Sequence, residues 1–281
     1  MKGFAPGYYP QFRCIGGECR HSCCVGWEID IDEDTLAYYN SVPGDFGERL
    51  RAGMENGSFR LDEHERCPFL NERGLCDIIL TLGEDALSQI CSDHPRFRSF
   101  FTHREETGLG LCCEAAAELI LGETAPFTEV CLWDDGEEDE PTAWEAQLLS
   151  RRKELMDAVE AGRFTACLPE KSAGEWREIF LSLERMDEAW TQRLQRPWEE
   201  PPAALQKPLE RLLLYFLYRH LPAAEDEGSL AARTAFAQLC CRVAGLISRD
   251  RADLLETVRL LSAEIEYSDE NVDILLKHLG G

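Results

Sequence analysis

Cysteine is the residue type with the most chemistry to offer in this sequence. Nine of its thirteen cysteines fall within the first 113 residues. Cys14, Cys19, Cys23 and Cys24 form C-x4-C-x3-C-C. Cys67 and Cys76 bracket C-P-F-L-N-E-R-G-L-C, Cys91 heads C-S-D-H-P-R, and Cys112 and Cys113 are adjacent. Thiolates are metal ligands and nucleophiles, and unprotected thiols oxidise. A gathering this dense is therefore read as a ligand set. A disulfide scaffold fits less well, because the cysteine content lies below the roughly 8–10% of such chains. In the cytoplasm thiols stay reduced, and the adjacent pair Cys23-Cys24 would close a strained ring.

Structural zinc sites show C-x2–4-C hooks. Only Cys14/Cys19 and Cys19/Cys23 come near that spacing, and C-x2-C is absent. Iron–sulfur clusters need four thiolates and tolerate varied spacing. The first knot is one residue longer than C-x4-C-x2-C, and C-x3-C-x2-C is absent. An iron–sulfur cluster, of 4Fe-4S type, is favoured because it can gather ligands from separated loops such as those of Cys67, Cys76 and Cys91. Zinc is the alternative, and purely structural cysteines are the third reading. His21, His64, His94 and His103 are substitute ligands, each expected at the surface or behind the ligands. Cys131, Cys167, Cys240 and Cys241 are expected to be small buried apolar residues.

The elements that must position these groups fall into two parts. Residues 1–130 are punctuated by Gly, Pro and Cys, with short helices and weak strand signals. Asp30 to Thr35 supplies a cap before a helix. Thr81-Leu82-Gly83-Glu84 fits a capping box opening a helix that carries Leu87, Ile90 and Cys91. Residues 111–121 read as a helix ended by Gly122, and residues 59–61 as a short strand. Residues 131–143, containing Asp134-Asp135-Gly136-Glu137-Glu138-Asp139-Glu140, read as a solvated acidic linker. Residues 144–281 read as a helical bundle, with helices over 143–161, 172–194, 205–220, 230–248, 252–265 and 270–279. Leu212 to Tyr218 is apolar all round, which places its helix at the centre. The fold class is mainly α: an irregular cysteine-rich, metal-binding N-terminal part followed by a C-terminal helical bundle.

The 281 residues carry 29 Lys and Arg against 53 Asp and Glu, a net charge of −24. That balance argues against nucleic acid or an anionic membrane as partner and suits a cationic substrate such as a lysine side chain. The N-terminus has no apolar signal core, and the Leu212–Tyr218 run is far short of the ~20 residues that span a bilayer. A cytoplasmic protein is expected. The glycine fingerprint of a nucleotide-binding βαβ unit is missing, and Gly108-Leu109-Gly110 reads as a turn.

These residues also carry a family resemblance. Cys14, Cys19-Arg20-His21-Ser22-Cys23-Cys24-Val25-Gly26-Trp27, Cys67-Pro68-Phe69-Leu70, Gly74-Leu75-Cys76, Cys91-Ser92-Asp93-His94-Pro95-Arg96 and Leu111-Cys112-Cys113-Glu114 resemble the flagellin lysine-N-methylase (FliB) family. So do Tyr218-Arg219-His220-Leu221 and Glu264-Ile265-Glu266-Tyr267-Ser268-Asp269-Glu270-Asn271. The N-terminal part alone also resembles putative zinc- or iron-chelating domains. The family pattern has proline where Cys113 stands. The resemblance implies Cys14, Cys19, Cys23, Cys24, Cys67, Cys76, Cys91 and Cys112 as metal ligands. It also implies S-adenosylmethionine as methyl donor and flagellin, or another lysine-bearing protein, as substrate. Arg96 is a candidate to grip a carboxylate of the donor. Glu266 and Tyr267 are candidates to orient or deprotonate the amine, in a helix break expected to face the cysteine-rich part. The contrasting reading is a non-catalytic metal-binding or redox module. The donor site is expected either on an open iron of the cluster or between the two parts.

Overall fold

The computed structural model describes residues 1–137 and 139–281; Glu138, in the acidic run, lies outside the described residues. The chain opens on a strand, β1 (Lys2–Pro6). It divides into two compact units: residues 13–96, and residues 1–12 together with 97–281. The expected boundary near residue 130 is therefore displaced to 96/97. The reason is strand pairing that links distant parts of the chain.

The unit of residues 13–96 is built from short elements. α1 (Glu33–Ser41) starts where expected, with the Asp32 carboxylate accepting from the Thr35 N–H and so satisfying a first-turn donor. α2 (Gly44–Ala52) and the hairpin β2 (Met54–Glu55) and β3 (Ser58–Phe59) follow. The expected helix from Thr81 does not form. α3 (Asp77–Leu82) ends at Gly83, whose φ of 95° lies where glycine is at ease, and residues 84–86 make a single 3-10 turn. Cys91 instead rides on α4 (Gln89–Asp93). The core of this unit is aromatic and aliphatic: Ile29, Tyr39, Leu50, Phe59, Phe69 and Ile78. Phe59 meets Phe69 edge-on at 5.2 Å, and the buried Tyr39 hydroxyl donates to the Ala86 carbonyl at 2.6 Å.

In the other unit, β4 (Arg96–Phe100), β5 (Arg104–Leu109) and β6 (Glu129–Asp134) join β1 in one sheet of order β4-β5-β1-β6. β1 pairs parallel with β5 and antiparallel with β6. Residues 129–134 are thus a paired strand, and the first part of the expected linker is not a linker. The helices are α5 (Glu114–Gly122), α6 (Ala143–Glu160), α7 (Ala173–Ser182), α8 (Glu188–Leu194), α9 (Gln206–His220), α10 (Glu227–Ile247), α11 (Arg251–Leu261) and α12 (Asp269–His278). A Ser172–Glu175 capping box opens α7. The expected helix over 172–194 is broken at 183–187, because the Glu264 carboxylate accepts the N–H groups of Met186 (2.9 Å) and Asp187 (2.8 Å). α9 is buried along Leu212–Tyr218, as its apolar run predicts. α10 is long and apolar enough to cross a membrane, but two-thirds of its apolar window (67%) is buried inside this fold, as in the core helix of a bundle. Cys240 and Cys241 lie in that core as expected, whereas Cys131 and Cys167 are exposed, because β6 and the loop after α6 turn them outward. Glu106 on β5 and Arg152 on α6 form a buried two-pronged ion pair, with both bonds at 2.6 Å, tying the sheet to the helices. The fold is mainly α with a small sheet.

Candidate functional site

Within residues 13–96 the backbone brings Cys24, Cys67, Cys76 and Cys91 to one place. The Cys67 N–H donates to the Cys24 carbonyl at 2.8 Å, beside the Val25–Arg66 bridge. Leu70 bridges Cys76, and the Asp77 N–H donates to the Phe69 carbonyl at 2.8 Å, so the C-P-F-L loop closes on itself and sets Cys76 at the start of α3. Asn71 braces that loop: its side-chain oxygen accepts from the N–H groups of Arg73 (2.9 Å) and Leu75 (3.1 Å). Cys67 is buried, and Cys24, Cys76 and Cys91 pack partly buried against the same apolar core. Each of these thiols lies in the electrostatic field of the other three. Burial pushes Cys67 up to about 12 and Cys91 up to about 11. Cys24 goes the other way, to about 7, chiefly through a hydrogen bond from the Cys23 side chain.

Among the described residues, no three His, Cys, Asp or Glu side chains stand close enough together to hold a single metal ion.

The remaining expected ligands are placed as follows. Cys14 and Cys23 are exposed and Cys19 is half-buried. Their loop packs on the Cys67–Cys76 loop through glycine, since a Cβ on Gly17 would lie 2.3 Å from the Arg73 carbonyl oxygen. Gly17→Ala is accordingly expected to destabilise by ~1–3 kcal/mol, measured by denaturant unfolding. The Trp27 indole N–H donates to the Cys23 carbonyl at 2.7 Å, and its ring lies 6.4 Å from that of His94. Burial, and then Arg96, lowers His94 to about 4, leaving a neutral imidazole. Arg96 donates to the carbonyls of Ser92 (3.0 Å) and His94 (3.4 Å). His64 is exposed, and His103 belongs to the other unit, as does Cys112.

Cys112 sits in a second constellation, entirely within residues 97–281. α11 ends in one wide turn, Ser262–Glu266, which swings the Glu266 carboxylate inward and the Tyr267 ring outward. Glu266 is 0% exposed at its side chain. It pairs with Arg219 Nε at 3.2 Å, with His220 Nε2 at 2.7 Å and with the Tyr215 hydroxyl at 2.9 Å. Burial alone would raise its pKa, but Arg219 and then His220 hold it down at about 2. Burial lowers His220, so the ring is neutral and its Nε2–H donates. The Arg219 guanidinium also donates to the Tyr215 hydroxyl at 2.9 Å. It lies against two rings, Phe97 at 4.8 Å and Tyr267 at 5.0 Å. Tyr267 is 51% exposed and hydrogen-bonds the Cys112 thiol. Burial raises the pKa of both groups, so phenol and thiol are protonated at neutral pH. Ser268 caps α12 by accepting from the Asn271 N–H at 3.2 Å. Arg219 and His220 form the last turn of α9, where basic side chains commonly meet the helix's own last carbonyls. In the fold their side chains reach Glu266 instead. The signal was the Arg-His pair at the end of the most buried helix, together with the resemblance of both segments to one family.

No family model matches the chain, and no solved structure matches it. Three curated relatives do, each 30% identical over 128 residues, or 42% of this chain. Two are named lysine-N-methylase, from Salmonella typhimurium (strain LT2) and Salmonella choleraesuis (strain SC-B67), and the match spans 32% of their length. The third is the flagellar biosynthetic protein FliU of Salmonella muenchen, of which the match spans 76%.

Proposed function

This chain belongs to the lysine-N-methylase/FliU family, and from that premise we propose that it is a protein-lysine N-methyltransferase acting on flagellin or a similar protein. The observation that carries the reading is the match to FliU over three-quarters of that relative, alongside two proteins named for the activity. S-adenosylmethionine is the methyl donor in this reading. The lysine nitrogen lone pair forms the new N–CH3 bond as the sulfonium S–CH3 bond breaks. S-adenosylhomocysteine leaves, and the displaced proton passes to solvent.

The chemistry asks for a neutral, oriented amine. Tyr267 is half-exposed, and in this reading its phenol oxygen turns to accept a hydrogen bond from the amine N–H while the phenol stays protonated. Arg219 lies under the Tyr267 ring and holds that ring in place. Glu266 is sealed from solvent and serves as a positioning residue: it fixes Arg219, His220 and Tyr215. In this reading the expected base role of Glu266 gives way to orientation by Tyr267.

Cys24, Cys67, Cys76 and Cys91 would hold an iron–sulfur cluster, with Cys14, Cys19 and Cys23 as further thiols of the same unit. A bound cluster would supply folding energy to a unit of short helices. The reading also keeps the chain cytoplasmic, where its thiols stay reduced.

Mass spectrometry of flagellin from the same source, co-expressed with this chain, is expected to show lysines heavier by steps of about 14 Da, the mass of one CH2. Flagellin without such steps would favour a metal-binding or redox module instead.

A further inference from the structure

Each of the four convergent thiols has a donor at hand that suits a thiolate. The Phe69 N–H serves Cys67, the N–H groups of Ile79 and Ile78 serve Cys76, and the side chains of Cys23 and Ser22 serve Cys24. Beside Cys91 the donor is the Ser88 hydroxyl. Ser88 is the N-cap of α4, and Cys91 lies three residues on, a spacing that puts both on one face of the first turn. An N-cap serine ordinarily accepts from the N–H groups of that turn, but the Ser88 side chain makes no such bond. Other groups hold the start of α4 instead. The Asp32 carboxylate accepts the Gln89 N–H at 2.8 Å, and the Tyr39 hydroxyl fastens the preceding loop through the Ala86 carbonyl at 2.6 Å. Ser88 is 0% exposed. A neutral thiol is a weak acceptor, and the Ser88 Oγ has no hydrogen-bond partner among the described residues.

A buried hydroxyl released from capping and sealed from water calls for an acceptor. The sulfur of a metal-bound thiolate is one, and a hydroxyl rotates to suit it. On the reading above, that these thiols hold a cluster, we propose that Ser88 is a positioning residue of the metal site, whose hydroxyl donates to the sulfur of metal-bound Cys91. The bond fixes the Cys91 side chain and draws charge from its sulfur. Outer partners of this kind strengthen metal affinity by about 10–100-fold, and hydrogen bonds to the sulfurs help to set the reduction potential of a cluster.

The test compares the anaerobically purified full chain with Ser88→Ala and Ser88→Thr. The probe is EDTA, and the readout is the rate at which the protein's own metal, iron or zinc, passes to it. Ser88→Ala is expected to release metal ~10-fold faster, and Ser88→Thr, which keeps the hydroxyl, to match the unaltered chain. Where the metal is iron, Ser88→Ala is also expected to shift the reduction equilibrium about tenfold toward the oxidised form, ~59 mV for one electron. A helix cap would move Tm and leave that potential in place. Release from Ser88→Ala at the unaltered rate overturns the role of Ser88 and leaves the cluster reading standing. Equally fast release from both variants overturns it too, because one of them retains the hydroxyl. An unaltered chain that purifies without iron or zinc removes this inference and the cluster reading together.

Discussion

Cys67→Ser is expected to empty the cysteine-rich unit of metal and to unfold it. Cys67 is the buried member of the four convergent thiols, and its backbone N–H ties its loop to Cys24. A serine hydroxyl is a poor ligand for soft metals, which select thiolate. Residues 13–96 hold only short helices, of five to nine residues, so their order leans on whatever the thiols bind. Structural metal sites contribute on the order of 10 kcal/mol to the folding of small domains, far more than a marginal unit holds in reserve. Anaerobically prepared protein is expected to be brown, with iron and acid-labile sulfide. Cys67→Ser and Cys91→Ser are expected to lose both, together with the thermal transition of this unit. Cys167→Ser, at an exposed position in the other unit, is expected to change neither. Equal iron content in all three variants would sink the assignment of the ligand set, and stoichiometric zinc without sulfide would sink the cluster.

The second large effect separates two neighbouring residues. Glu266→Gln removes the charge that balances a buried Arg219. Breaking one partner of such a pair costs about 3–5 kcal/mol. For a chain of this size that is a fall of ~10 °C in Tm. The pH dependence has a definite sign. The carboxylate pKa is about 2 in the fold against about 4.3 when unfolded. Its contribution, about 3 kcal/mol, is therefore complete above pH ~4.5 and is lost as the pH falls toward 2. The variant is expected to lose that acid limb of the stability curve. Tyr267→Phe deletes one hydroxyl, with its bond to the Cys112 thiol, on a half-exposed ring, so Tm is expected to fall by no more than about 1–2 °C while methyl transfer falls by ~10²–10⁴, the range of a positioned proton-transfer or orienting group. Urea unfolding across pH and methylation of flagellin read the two out separately. A Tyr267→Phe variant with full activity would reduce the hydroxyl to a partner of Cys112.

Much of this was legible in the residues themselves. Helix starts are local events: Asp32, Ser172 and Ser268 each satisfy an N–H three residues on, and sequence spacing alone exposes such pairs. The apolar run Leu212–Tyr218 identified the central helix for the same reason, since periodicity reports burial directly. The density of cysteines, and the two segments later joined as Glu266 and Arg219, were likewise visible as composition and resemblance. Tertiary structure decided the rest. The sheet pairs Lys2 with Arg104 on one side and with Asp134 on the other, partners separated by about a hundred residues with no local pattern to announce them. That pairing turned a presumed linker into a strand and moved the unit boundary. Which four thiols converge depended on backbone bonds between loops, such as Cys67 to Cys24, and no cysteine spacing encodes those. Glu266 and Tyr267 are adjacent in sequence, yet one wide turn buries the first and exposes the second. That difference follows from the turn, because only the folded chain sets which of two adjacent side chains meets water.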